Sequence, residues 1–150
     1  MKKLSLLLLI TTILMSCVHV EAPENEPELR EPARDGILIH VTAGYDDAHR
    51  VLMPFKMATL MAETQDVILY LDIHAVELVV EGADDIRMEG FDPLSTYIEK
   101  LLDEGIDIYA CPTCLNVAGF SPDDLMKGVK PANKDAFFNF TRGRIVTIDY

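Results

Sequence analysis

The sequence predicts an α/β sandwich built around a mostly parallel sheet. Two observations lead to this prediction. Short apolar segments typical of buried strands alternate with segments whose apolar residues have helical spacing, and glycine, proline and aspartate separate the segments. Residues 37–42 are nearly continuously apolar, as expected for a first strand that is buried on both faces.

The other elements follow from the same patterns. A helix is predicted over 48–63, with Asp46 and Asp47 available as N-caps and Pro54 expected to kink it or break its start. Further strands are predicted at 66–73, 106–110 and 143–149, and further helical segments at 75–81, 93–103, 133–140 and from 112 onward.

The N-terminal segment is typical of an export signal. Lys2 and Lys3 precede an apolar stretch that is too short to span a bilayer comfortably, and Ser16-Cys17 completes a pattern that looks like a bacterial lipobox. We predict a signal peptide over 1–16 and lipidation of Cys17. An ordinary secretory signal and an uncleaved anchor are the alternatives.

Residues 17–35 are acidic, proline-spaced and poor in apolar side chains, which predicts a tether rather than a folded segment. The folded domain is then 36–150. Removing 1–16 takes away Lys2 and Lys3, so the net charge falls from −12 to −14. This charge excludes a basic footprint for nucleic acid. Membrane association is therefore expected only through the lipid, on the periplasmic side of the cell envelope.

The segment 110–114 is the strongest candidate for chemistry. The predicted strand ends at Ala110, and Pro112 suits the first position of a helix. Cys111 is therefore expected at a helix N-terminus, where free backbone N–H groups and the helix dipole favour a thiolate, the nucleophilic form. Cys114 follows one turn later. The competing interpretation is that both cysteines are small buried core residues.

Other polar residues are expected near this thiol. In parallel sheets the loops after the strands gather at one edge, where ligands bind. The loops after the first two predicted strands carry Gly44 and Asp46, and Asp72 and His74, respectively. We predict that these four residues line a ligand site beside Cys111, although Asp46 is also explained as a helix cap.

The domain resembles the DsrE/DsrF-like family of small sulfur-handling proteins. The resemblance rests on the order and spacing of four segments, 41–47 (VTAGYDD), 71–77 (LDIHAVE), 105–114 (GIDIYACPTC) and 128–130 (GVK). It implies a three-layer sandwich with about five strands, assembly into homo-oligomers such as trimers or hexamers, and a sulfur-carrying cysteine at Cys111. Cys114 and the lipoprotein signal depart from the cytoplasmic relay members.

Three functions of different classes remain open. Cys111 could accept and pass sulfane sulfur as a persulfide, in the manner of a sulfurtransferase, with a protein or a small thiol as donor or acceptor. Cys111 and Cys114 could instead form a thiol–disulfide redox pair. They could also join His74 and His49 in a metal or small-ligand module, but the sequence has no second close pair, so we predict no metal and no cofactor. His40 is interpreted as a core histidine.

Overall fold

The computed structural model describes residues 32–150, so the predicted signal peptide, Cys17 and most of the predicted tether lie outside the described residues. The strands are β1 (Gly36–Val41), β2 (Asp66–Leu71), β3 (Asp107–Ala110), β4 (Lys130–Pro131) and β5 (Ile145–Asp149). The helices are α1 (Ala48–Met61), α2 (Leu94–Asp103), α3 (Pro112–Ala118) and α4 (Ala136–Asn139), with 3₁₀ segments at Ala75–Val79 and Pro122–Asp124. Within 32–150, no helix has the length and apolarity needed to cross a membrane.

The five strands form one all-parallel sheet in the order β4-β3-β2-β1-β5. The predicted α/β class and the sheet of about five strands are therefore confirmed. The sequence patterns did not predict β4, because a strand of two residues has no recognisable periodicity. It is defined only by its pairing with β3, in which Lys130 lies opposite Tyr109.

One face of the sheet packs against α1 and α2 and forms the hydrophobic core. Alternate strand residues are buried there, namely Ile39, Val41, Val67, Leu69, Leu71, Ile108 and Ala110. The two helices contribute Val51, Leu52, Phe55, Ala58, Leu94, Ile98 and Leu101. Burying each large aliphatic side chain stabilises the fold by about 1.5–3 kcal/mol. Packing on this face therefore keeps the sheet rigid up to the ends of the strands.

The opposite face carries the intervening residues of the same strands, among them His40, Tyr70 and Tyr109. The chain crosses from β4 at one edge to β5 at the other through α4. Phe137 of α4 packs edge-on against Tyr70, with ring centroids 5.0 Å apart. Helices thus lie on both faces, which confirms the predicted three layers.

Helix α1 begins as predicted and ends slightly earlier. The side chain of Asp47, rather than that of Asp46, accepts a hydrogen bond of 3.0 Å from the backbone N–H of Arg50 and caps the helix. The helix continues through Pro54 without a break and ends at Met61. A proline removes only one N–H donor from the helix ladder, and the burial of Pro54 against the core offsets that loss.

Two residues that the sequence assigned to the tether contact the folded unit. The Asp35 carboxylate pairs with Arg144, just before β5. The Arg34 guanidinium donates hydrogen bonds of 2.8–3.0 Å to three carbonyl groups beyond the end of α1, those of Ala62, Thr64 and Gln65. Arg34 therefore satisfies backbone acceptors that the helix end leaves open.

Candidate functional site

Cys111 lies at the junction between the sheet and helix α3. Its backbone N–H donates to the carbonyl of Leu71 at 2.9 Å, which extends the pairing of β3 with β2 by one residue. Cys111 is the N-cap of α3, and its sulfur accepts a hydrogen bond from the backbone N–H of Cys114 at 3.4 Å. Pro112 occupies the first turn, and the wholly buried Leu115 anchors the helix to the core. The predicted strand–cysteine–helix junction is therefore present.

The surroundings of Cys111 favour its thiolate. Burial alone would raise the pKa of the Cys111 thiol. Hydrogen bonds outweigh burial and lower the pKa below its ordinary value; they come from the thiol and backbone N–H of Cys114, the Tyr70 hydroxyl and the Thr113 N–H. Each of these donors stabilises the charged form of the sulfur.

The pKa of the Cys114 thiol is shifted in the opposite direction to that of Cys111. Burial raises the pKa of the Cys114 thiol, and the hydrogen bond with Cys111 raises it further. The hydrogen bond between the two thiols therefore favours the negative charge on Cys111 over Cys114. Cys111 and Cys114 are half-buried, and no disulfide joins them in this structure.

His74, in the loop after β2, lies beside a hollow that it shares with Cys114. Its ring is mostly exposed and lies 3.7 Å from Glu77. A hollow of about 380 Å³ beside it is lined by Ile73, His74, Glu77, Cys114, Val117 and Ala118. Ile73 has a left-handed backbone with φ = 50°, which is unfavourable for a β-branched residue. Burial raises the pKa of the Cys114 thiol, and the Ile73 backbone at this bend partly offsets that shift.

Gly44 and Asp46 lie on the far side of His74 from the thiols. They line a second hollow of about 370 Å³ together with Tyr45, His74 and Glu77, and neither cysteine contributes to it. Gly44 packs closely against His74, because an added Cβ would come within 2.8 Å of the His74 Cβ. The structure thus joins the loops after β1 and β2, but it separates Asp46 from Cys111.

Asp72 lies on the same side of His74 as the cysteines. It is next to His40, which the sequence analysis interpreted as a core histidine. The His40 Nε2 atom is 3.0 Å from Oδ1 of Asp72. The two atoms are misaligned for a hydrogen bond, and both are buried without another partner. The other ring nitrogen of His40, Nδ1, hydrogen-bonds to Asp149 at 2.9 Å. His40 is therefore not packed in the hydrophobic core but half-buried among carboxylates on the opposite face.

Tyr70 was also missed as a site residue. Its ring stacks on that of His40, with centroids 5.3 Å apart and planes inclined by 22°. Burial and then the neighbouring Cys111 thiol raise the pKa of Tyr70 well above its usual range. A sequence signal existed for both residues, since polar side chains occupy alternate positions at the ends of β1, β2 and β3.

The described residues also define which metal or cofactor ligands are at hand. Among 32–150, no cluster of three or more histidine, cysteine, aspartate or glutamate side chains has the spacing to hold a metal ion. His49 instead packs against Phe91, with ring centroids 5.5 Å apart. The groups beside the Cys111 sulfur that lower its pKa are instead the hydrogen-bond donors of Cys114, Tyr70 and Thr113.

Comparison with known proteins gives one family and a common fold. The sequence model of the DsrE/DsrF-like family matches residues 35–142. The crystal structure of the YchN protein from E. coli has 17% identity and a TM-score of 0.54, covering 78% of this chain and 100% of that one. MTH1491 of Methanobacterium thermoautotrophicum, a protein of unknown function, has 19% identity and a TM-score of 0.50 with the same coverage. At these identities the likeness shows the fold alone. Among curated proteins, none matches the chain.

Proposed function

Because the chain belongs to the DsrE/DsrF-like family, we propose that it handles sulfur, with Cys111 accepting sulfane sulfur and passing it on as a persulfide. The observation that carries the proposal is the setting of Cys111. The thiol ends a strand of a parallel sheet, caps a helix and has a lowered pKa. An accessible thiolate is the requirement that sulfur exchange places on a carrier.

The proposed reaction is an exchange between sulfur–sulfur bonds. The Cys111 thiolate attacks the outer sulfur of a persulfide donor, which is a small thiol or a protein cysteine. A bond forms between Sγ and that sulfur, the donor's S–S bond breaks, and the donor leaves as a thiolate. An acceptor thiolate then takes the outer sulfur in the same way. No net oxidant or reductant is needed in either step.

The position of Cys114 favours thiol–disulfide exchange as a second candidate. The Cys114 thiol is hydrogen-bonded to Cys111, so the two sulfurs are neighbours. Once it has lost its proton, Cys114 can attack Sγ of a Cys111 persulfide, which forms a disulfide and releases hydrosulfide. The same pair can transfer two electrons as a dithiol without any carried sulfur.

Mass spectrometry of the intact protein separates the two candidates. After incubation with a low-molecular-weight persulfide and removal of excess donor, a carrier gains about 32 Da per sulfur, and reductant removes the gain. The Cys114→Ser variant should gain the mass, and the Cys111→Ser variant should not. A loss of about 2 Da in the unmodified chain, without any gain in Cys114→Ser, would favour the redox pair instead.

The proposal includes export and anchoring through Cys17. The support is the sequence pattern ending at Ser16-Cys17 and the acidic stretch that follows it. Cell fractionation of the parent chain and of Cys17→Ser tests this part. The parent should sediment with membranes and Cys17→Ser should not, whereas equal membrane fractions would contradict lipid anchoring at Cys17.

A further inference from the structure

A lateral row of polar and aromatic residues crosses the face of the sheet opposite the hydrophobic core. The strand register places His40 opposite Tyr70, and Tyr70 opposite Tyr109. It also places Asp149 opposite His40. Residues opposite one another in parallel strands share a face, so these four side chains are successive neighbours. The row reaches the strand end at which Cys111 lies.

The ring of Tyr70 is held from two directions within this row. It stacks on His40 at 5.3 Å, and Phe137 contacts it edge-on at 5.0 Å with an interplanar angle of 88°. His40 is itself fixed by the hydrogen bond from Nδ1 to Asp149. Aromatic pairs of these geometries are favourable beyond the area they bury. The direction of the Tyr70 hydroxyl is therefore set by its neighbours.

In this position the Tyr70 hydroxyl is close enough to Cys111 to lower the pKa of its thiol. Cys111 follows Tyr109 by two residues and so lies on the same face, diagonally across from Tyr70, a separation that an aromatic side chain spans. The hydrogen bond from the Cys111 N–H to the carbonyl of Leu71 fixes the distance between the two strands at this point. The raised pKa of Tyr70 means that its hydroxyl stays protonated, as a donor, when Cys111 is a thiolate.

We propose that Tyr70 is a positioning residue for Cys111, donating a hydrogen bond to its thiolate from a ring clamped between His40 and Phe137. The inference deepens the proposed function, since it rests on Cys111 being the reacting thiol. Tyr70 keeps its proton throughout, and no bond to it forms or breaks. Its role is to favour the charged sulfur and to hold it in one orientation for exchange.

The test measures the pH dependence of alkylation at Cys111 alone. The chain has three cysteines, so Cys17→Ser and Cys114→Ser in the full chain leave Cys111 as the sole thiol. Iodoacetamide rates are then compared with and without Tyr70→Phe, which retains the ring. We expect the midpoint of the rate profile to move to higher pH. Below the midpoint the rate should fall about three- to tenfold, and the limiting rate at high pH should persist.

Tyr109→Phe is the matched control. It removes a hydroxyl from the same face, but that hydroxyl hydrogen-bonds to Asp107 at 3.0 Å. Its profile should coincide with that of the parent. The inference is overturned if Tyr70→Phe leaves the midpoint in place, or if Tyr109→Phe moves it equally.

A second variant tests the clamp without touching the hydroxyl. Phe137→Leu removes the edge contact and should move the midpoint in the same direction by a smaller amount. An unchanged profile for Phe137→Leu would overturn the clamping role, and it remains measurable should Tyr70→Phe fail to fold.

Because alkylation needs no sulfur donor, it tests this inference separately from the proposed function. A shifted profile without persulfide loading would contradict the proposed function and leave this inference intact. If the protein loads with persulfide but Tyr70→Phe leaves the alkylation profile unchanged, the proposed function stands and the inference about Tyr70 is overturned.

Discussion

Replacing Gly44 with alanine should destabilise the domain by forcing apart the loops after β1 and β2. An added Cβ would lie 2.8 Å from the Cβ of His74 and 3.2 Å from its carbonyl oxygen. The backbone fixes both of these atoms, so no change of side-chain rotamer can relieve the overlap. Overpacking of this kind costs about 1–3 kcal/mol. Because His74 borders the hollow beside Cys114, relief would also displace that wall of the site.

Urea unfolding measures this cost. With a slope of about 1–3 kcal/mol per molar urea for a domain of this size, the midpoint should fall by roughly 1 M. As a control, Gly44→Ala is repeated in a His74→Gly variant, which lacks the Cβ that an alanine at position 44 would meet. There, Gly44→Ala should cost about 1 kcal/mol less than it does with His74 present. Equal losses in the two backgrounds would refute the steric reasoning.

Three further predictions concern stability, ionisation and assembly. Arg34→Ala should lower the free energy of unfolding by about 1–2 kcal/mol, because three carbonyls lose their donor. Arg87→Ala, at an exposed ion pair, should stay within about 0.5 kcal/mol, and equal urea midpoints for the two would contradict this. Hydrogen bonds from the backbone and hydroxyl of Ser121 lower the pKa of Asp124 below 3.8. The stability they add is therefore present above that pH and lost as the pH falls through the lowered value. Ser121→Ala keeps the backbone N–H but removes the hydroxyl, so it should raise the NMR titration midpoint of Asp124 part of the way, and an unmoved midpoint would exclude the hydroxyl as a cause. Finally, light scattering should give a trimer or hexamer, since the surface leaves Phe138 73% and Val146 55% exposed; a monomer at micromolar concentration would contradict the assembly.

The sequence predicted the parts of the fold that local patterns determine. The order of strands and helices, the cap at Asp47 and the placement of Cys111 before a helix all follow from residues close together in the chain. Helix α1 is an instructive exception, because Pro54 weakens a helix locally and yet the helix passes through it. Here burial against the core outweighs the local preference.

The residues of the candidate site that the sequence did not predict are brought together by pairing between distant segments. Tyr70 and His40 become neighbours of Cys111 only through the register of β1, β2 and β3, which no single segment encodes. The alternation of polar residues indicates which face of the sheet they occupy. It does not determine the order of the strands, and therefore it does not show which of these residues are neighbours. Asp149 comes from β5, and its place beside His40 depends on a connection that crosses the whole sheet. Asp46 is the opposite case. It follows β1, which is next to β2, but the structure places it on the far side of His74 from the cysteines.

The position of β5 beside β1 has a consequence for how the protein folds. Gly36 pairs with Ile145, so the contact closes a loop of about a hundred residues, and such contacts form slowly. β1, β2 and β3 can pair earlier, as the chain is synthesised from its N-terminus. Until β5 arrives, β1 is an unpaired apolar edge, the kind of surface on which chains aggregate. The strand with the most exposed side chains in the folded domain is thus the one that shields β1 during folding.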